Sequence, residues 1–139
     1  MSWSVSARFI PPVLDVARIE AACRAVAATR PVELEIRGAE PGTTSITAFF
    51  TARAGEVRAW EVRLAYRAAD VDEAWHLHGY DGTTDLPIEI EFRAFPDPEA
   101  FAIMTFDSGH SGNGACPMIG QDILYALGAE LGVECAADF

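Results

Sequence analysis

The sequence predicts a single α+β domain spanning residues 1–139, built on a mainly antiparallel sheet. Three observations support this prediction: apolar residues alternate with polar ones in several segments, two segments have helical spacing, and the connections are short and rich in turn-forming residues. The chain has 139 residues and is 50% hydrophobic, as is typical of one globular domain. It contains no internal repeat or linker-like tract, so we expect no domain boundary.

Period-two alternation predicts the strands. It is regular in residues 3–9, 32–37, 60–66, 75–78 and 88–93, and less regular in residues 45–51 and 101–107. Each segment has one apolar and one polar face, which is typical of antiparallel strands with one face in water. Glycine and proline in the short connections favour hairpins. We therefore expect an antiparallel meander of about six to seven strands.

Two segments show helical spacing. Asp15 is a suitable N-cap for a first helix directly after the first strand, and Pro31 follows its end. A second helix is expected to begin at Pro117 and to end at Gly132 near the C-terminus. Both helices are expected to pack on one face of the sheet.

The charge of the chain is strongly asymmetric. The formal net charge is −11, and all ten basic residues are arginine. The first 67 residues carry a net charge of +2, whereas residues 68–139 carry 14 acids and a single base, Arg93. Binding to nucleic-acid phosphates needs a positive surface, and anionic membranes repel a negative one. The sequence therefore predicts neither a nucleic-acid partner nor a membrane partner.

Location and source are also predicted from composition. No apolar run reaches the length of a membrane span, and the first residues lack the pattern of a signal peptide. We expect a cytoplasmic protein, and the abundance of arginine and alanine codons indicates a GC-rich, bacterial genome. The three cysteines are an odd number in a reducing compartment, so no disulfide framework is predicted. Cys23 is expected in the core.

The leading functional hypothesis is a protein-binding domain that uses its acidic second half against a basic partner. Complementary charge accelerates such an association. An inhibitor or immunity protein that neutralises a basic toxin would have this size and charge. The predicted binding residues are the acids Asp81, Asp85, Glu89, Glu91, Asp107 and Asp122.

The glycine-rich segment 107–117 offers weak catalytic candidates. Cys116 precedes the second helix, where the helix dipole lowers a thiol pKa, and His110 lies in the same segment. A Cys–His pair is the minimum for covalent thiol chemistry. Asn113 replaces the last glycine of a Gly-x-Ser-x-Gly elbow, and the acidic surroundings oppose thiolate formation. An inert thiol is favoured, so an enzyme is the less favoured interpretation.

His76 and His78 are weak metal candidates. Residues two apart on a strand share a face, so the two imidazoles have the placement of zinc ligands, with His110 or an acid as a third. The simpler interpretation is that they form the polar face of their strand. No cofactor is therefore predicted.

A small-molecule site is the alternative binding hypothesis. A curved sheet closed by the C-terminal helix can enclose a cavity, which the apolar-face aromatics would either line or fill. These aromatics are Trp3, Trp60, Tyr66, Trp75 and Phe92. The sequence predicts no oligomeric state.

Overall fold

The computed structural model describes residues 4–9, 14–64, 85–95, 101–107, 117–133 and 135–138. In chain order the elements are β1 (Ser4–Phe9), α1 (Val16–Ala28), β2 (Val32–Arg37), β3 (Ser45–Ala52), α2 (Ala54–Arg63), β4 (Leu86–Phe95), β5 (Phe101–Asp107), α3 (Pro117–Leu131) and β6 (Cys135–Asp138).

The strands form one antiparallel sheet in the order β2-β3-β4-β5-β1-β6. The predicted α+β class with an antiparallel sheet is confirmed, but the predicted meander of six to seven strands is wrong. Only β2 to β5 are consecutive neighbours, and β1 lies between β5 and β6. The cause is the α1 connection, which carries the chain from β1 to the opposite edge of the sheet.

The predicted strand over residues 60–66 is also wrong, because residues 54–63 form α2. Val57 and Trp60 are buried and Leu64 is partly buried, and their spacing of three and four residues gives one helical face. A carboxylate oxygen of Asp85 accepts a hydrogen bond from the Ala54 amide at 3.0 Å, which satisfies a free donor at the start of the helix. The predicted strand 75–78 lies outside the described residues.

The ends of α1 and α3 follow the sequence prediction. Asp15 accepts a hydrogen bond from the Arg18 amide at 3.1 Å, as an N-cap does. Gly132 has φ +70°, and the Val133 amide donates to the Gly128 carbonyl at 2.9 Å, which closes α3 with a glycine C-cap. In the described part of the chain, no helix is long and apolar enough to cross a membrane.

Among the described residues, the core lies between α1, α2 and α3 and one face of the sheet. Alternate residues of β3 and β4 are buried, and they form one cluster with the buried faces of the helices. The strand members are Ile46, Ala48, Phe50, Ala52, Leu86, Ile88, Ile90 and Phe92, and the helix members include Ile19, Cys23, Val57, Trp60, Ile123 and Leu127. The intervening residues of β2, β3 and β4 lie on the opposite face, called here the open face.

Gly38, which directly follows β2, has a conformation and a contact that exclude a side chain. Its φ is +79°, and a Cβ would lie 2.8 Å from the Ser45 carbonyl oxygen. Gly42 has the same φ, but a Cβ there would meet nothing within 4 Å. We expect Gly38→Ala to lower the free energy of unfolding by about 2–3 kcal/mol and Gly42→Ala by about 1 kcal/mol. Urea denaturation of both variants measures the difference, and equal losses would show that the close approach adds no cost.

Candidate interaction surface

The open face carries carboxylates from two strands on either side of an aromatic ring. In the sheet register, Phe49 of β3 lies between Glu35 of β2 and Glu89 of β4. Glu35 and Glu89 are exposed, and Phe49 is partly buried. Directly paired residues have Cβ atoms about 5 Å apart, so the Cβ atoms of Glu35 and Glu89 lie roughly 10 Å apart on either side of Phe49.

The neighbouring residues on the same face add two more acids and two arginines. Glu33 precedes Glu35 on β2, and Glu91 follows Glu89 on β4. Arg37 donates to Glu35 at 3.0 Å and lies over the Phe49 ring, 4.8 Å from its centre. Four carboxylates and two guanidinium groups leave this face with a net negative charge.

The two arginines neutralise only part of the acidic surface. Arg93 lies 2.9 Å from Glu91, as Arg37 lies beside Glu35. These pairs are exposed at the surface, so each contributes about 0–1 kcal/mol to stability. Within the described residues, neither Glu33 nor Glu89 makes an ion pair. Both residues are exposed on the open face.

The sheet register relates β4 to positions on β5, β1 and β6. Glu91 pairs with Thr105 of β5, which pairs with Ser6 of β1. Asp107 and Asp138 are the register partners of Ser4 on its two sides. The predicted binding residues Glu89, Glu91 and Asp107 thus occupy adjacent strands of the sheet.

The other predicted binding residues are distributed differently. Asp85 is engaged with the first amide of α2. Asp122 lies on α3, on the helix side of the sheet, away from Glu89 and Glu91. Asp81 lies outside the described residues. The structure therefore brings together only part of the predicted acidic set, and it adds Glu33 and Glu35 from the first half of the chain.

Asp122 is part of a network that connects α2 and α3 with the residue that follows the end of α1. The Arg30 guanidinium donates to both carboxylate oxygens, at 2.9 Å and 3.4 Å, and the Trp60 indole N–H donates to one of them at 2.9 Å. Arg30 follows α1, Trp60 lies in α2 and Asp122 in α3. The carboxylate is satisfied by its own chain, so Asp122 is poorly placed to bind a partner.

Cys23 is buried in the core, as predicted. Its side chain has no exposed surface, and burial raises the pKa of the thiol to about 12. The thiolate is the nucleophilic form, so Cys23 is not a nucleophile at neutral pH. The catalytic candidates His110 and Cys116 lie outside the described residues.

The residues of the metal and cavity hypotheses lie partly within the described chain. His76 and His78 lie outside the described residues, and within the described part no three histidine, cysteine or acidic side chains are placed to hold a metal. Of the aromatics predicted to line or fill a cavity, Trp60 and Phe92 pack in the core. The structure does not describe the side chains of Trp3, Tyr66 and Trp75.

Comparison with known proteins adds no assignment. The sequence matches no protein-family model and no curated protein. A functional proposal therefore depends on the geometry and charge of the open face.

Proposed function

We propose that this chain is a small protein-binding domain that docks a basic partner on the open face of its sheet. The observation that carries the proposal is the row Glu35–Phe49–Glu89, with an aromatic ring between exposed carboxylates on three adjacent strands. The proposed biological role is that of an inhibitor or immunity protein in the bacterial cytoplasm. Its partner would be a basic toxin, such as a nuclease.

The physical argument combines a rigid platform with complementary charge. The open face is formed by the backbone ladders β2–β3–β4, whose other face is anchored in the core. A preorganised surface loses little conformational entropy on binding. A charge of −11 on the whole chain steers a cationic partner toward it, and the local carboxylates select its orientation.

Phe49 supplies the apolar part of the surface. It is partly buried beneath the Arg37 guanidinium, so a partner side chain that packs beside the ring removes the remaining area from water. Aromatic and arginine side chains are enriched among the residues that dominate binding energy. An arginine or lysine of the partner would place its alkyl stem on Phe49 and its charge near Glu89.

The proposal is tested by co-expressing the chain with the products of its neighbouring genes and measuring the affinity of any complex with a basic product. We expect Glu89→Arg to weaken binding about tenfold or more, and the wild-type affinity to fall as salt rises. The matched control is Glu130→Arg, which makes the same change of charge on the exposed end of α3, away from the open face.

Two results would contradict the proposal. One is that no basic neighbouring product binds at roughly 150 mM salt, where exposed charges more than about 8 Å apart are screened. The other is that Glu89→Arg and Glu130→Arg weaken a complex equally, since this would show a general charge effect rather than contact at the open face.

A further inference from the structure

β2 is an edge strand whose outer backbone groups are unpaired within the described residues. It pairs with β3 on one side and lies at the end of the sheet. Pro31 and Arg53 lie opposite each other, next to the register pair Val32 and Ala52. The Arg53 amide donates to the Pro31 carbonyl at 3.1 Å, so Pro31 and Arg53 are a hydrogen-bonded pair of the ladder. Because hydrogen-bonded pairs alternate along an antiparallel ladder, the N–H and C=O groups of Leu34 and Ile36 point away from β3.

The apolar side chains of β2 are also incompletely covered. Leu34 and Ile36 lie on the helix side of the sheet but are only partly buried, whereas Ile46 and Phe50 on the neighbouring strand are fully buried. Burial in the core therefore decreases toward the β2 edge. Another strand paired with β2 would bury more of the Leu34 and Ile36 side chains. An exposed edge of this kind is a template for strand addition.

The charges of β2 favour its own antiparallel copy. With Glu35 opposite Glu35 of a second chain, Glu33 lies opposite Arg37 on both sides of the centre. Leu34 then lies opposite Ile36, so the outward backbone groups of the two strands meet. A shift of two residues toward the start of the strand would instead place Glu33 opposite Glu35, which opposes like charges.

We propose that two copies of the chain associate through antiparallel β2–β2 pairing, which produces one continuous sheet with a twofold axis at Glu35. The cost is the central pair of Glu35 side chains, and each of these already accepts a hydrogen bond from Arg37 of its own chain. Backbone hydrogen bonds, contact between Leu34 and Ile36, and the two Glu33–Arg37 pairs stabilise the dimer.

The overall acidity of the chain does not oppose this contact strongly. Residues 31–67 have a net charge of zero, and the excess of acids begins after Arg67. Strands are spaced about 4.8 Å apart, so the acids of β4 lie roughly 10 Å from β2, beyond the screening length of about 8 Å at physiological salt. The β2 edge thus combines low net charge with a self-complementary sequence.

Analytical ultracentrifugation over a range of chain concentrations measures self-association. It is applied to the wild-type chain and to two variants that each reverse one charge of the Glu33–Arg37 pair. We expect the wild-type chain to dimerise reversibly, and Glu33→Arg and Arg37→Glu each to weaken self-association about tenfold or more, because two attractive pairs become repulsive. When the two variants are mixed, arginine at 33 faces glutamate at 37, and Arg37 of one chain faces Glu33 of the other. The mixture is therefore expected to recover a heterodimer.

Further variants separate the edge contact from other causes. Leu34→Pro removes an amide that the β2–β3 ladder does not use, so it is expected to abolish dimerisation while the chain stays folded by circular dichroism. Glu35→Gln removes the central repulsion and is expected to tighten the dimer severalfold. Glu130→Arg, far from this edge, is expected to leave it unchanged.

The proposal is overturned if the wild-type chain stays monomeric at all concentrations, or if Leu34→Pro remains dimeric. It is also overturned if the mixture of Glu33→Arg and Arg37→Glu fails to associate. These outcomes are independent of whether Glu89→Arg affects binding of a basic partner, since dimerisation needs no second protein.

Discussion

Phe50→Ala is expected to lower the free energy of unfolding by about 3–5 kcal/mol, while Phe49→Ala is expected to lower it by about 1 kcal/mol or less. The two residues are adjacent on β3 but lie on opposite faces of the sheet. Phe50 is fully buried among the helices, so its loss removes transfer free energy and leaves a cavity. Phe49 lies on the open face and retains contact with water.

Urea denaturation of the two variants measures these losses of stability. In binding measurements we expect the opposite order, with the larger effect in Phe49→Ala. Phe49→Ala removes the apolar centre of the proposed docking surface, so we expect it to weaken a basic partner while the chain remains stable. Similar stability losses in both variants would contradict the assignment of Phe49 to an open face. An unchanged partner affinity in Phe49→Ala would remove the ring from the proposed interface.

The strands of the sheet were largely predictable because one face is buried and the other is in water. In β2, alternating apolar and charged residues correspond to alternating burial, with Glu33 and Glu35 exposed. The same reasoning placed the caps of α1 and α3, since Asp15 and Gly132 act through local hydrogen bonds and backbone angles. Such features can be predicted from the sequence because the contacts that determine them are between residues close in the chain.

The residues of α2 fit two periods, so the sequence pattern alone does not distinguish a strand from a helix there. Trp60 and Leu64 occur both in an alternating series and in a helical series with Val57. The choice depends on tertiary contacts: the indole of Trp60 reaches Asp122 on α3, and Asp85 holds the first amide of the helix. Neither contact is visible in a window of sequence.

The position of β1 and the make-up of the open face were unpredictable for a related reason. Each strand reveals which of its faces is apolar, but not which strand it lies beside. Glu35 and Glu89 are far apart in sequence and meet across Phe49 only through the pairing of β3 with two partners. Sequence charge pointed to the second half of the chain, whereas the face draws acids from both halves.

Asp122→Ala is expected to lower the free energy of unfolding by about 2–3 kcal/mol. The change leaves the indole N–H of Trp60 without its acceptor, and that side chain is only 3% exposed. An unsatisfied buried donor costs about 1–3 kcal/mol. It also leaves Arg30, whose side chain is 22% exposed, without its carboxylate, although partial access to water reduces that second loss.

Two further single variants, Arg30→Ala and Asp122→Asn, separate the contacts that the Asp122 carboxylate makes with Arg30 and with Trp60. The Asp122 carboxylate is 21% exposed with Arg30 in place and stays bound to Trp60 in Arg30→Ala, so this variant should lose less stability than Asp122→Ala. Asp122→Asn retains an acceptor for the indole N–H of Trp60, so its loss of stability should lie between those of Arg30→Ala and Asp122→Ala. Glu130→Ala, on the exposed end of the same helix, is the control, with an expected effect within about 0.5 kcal/mol. If Asp122→Ala matched that control, the network would contribute nothing to stability, and Asp122 would be better explained as a residue kept for binding.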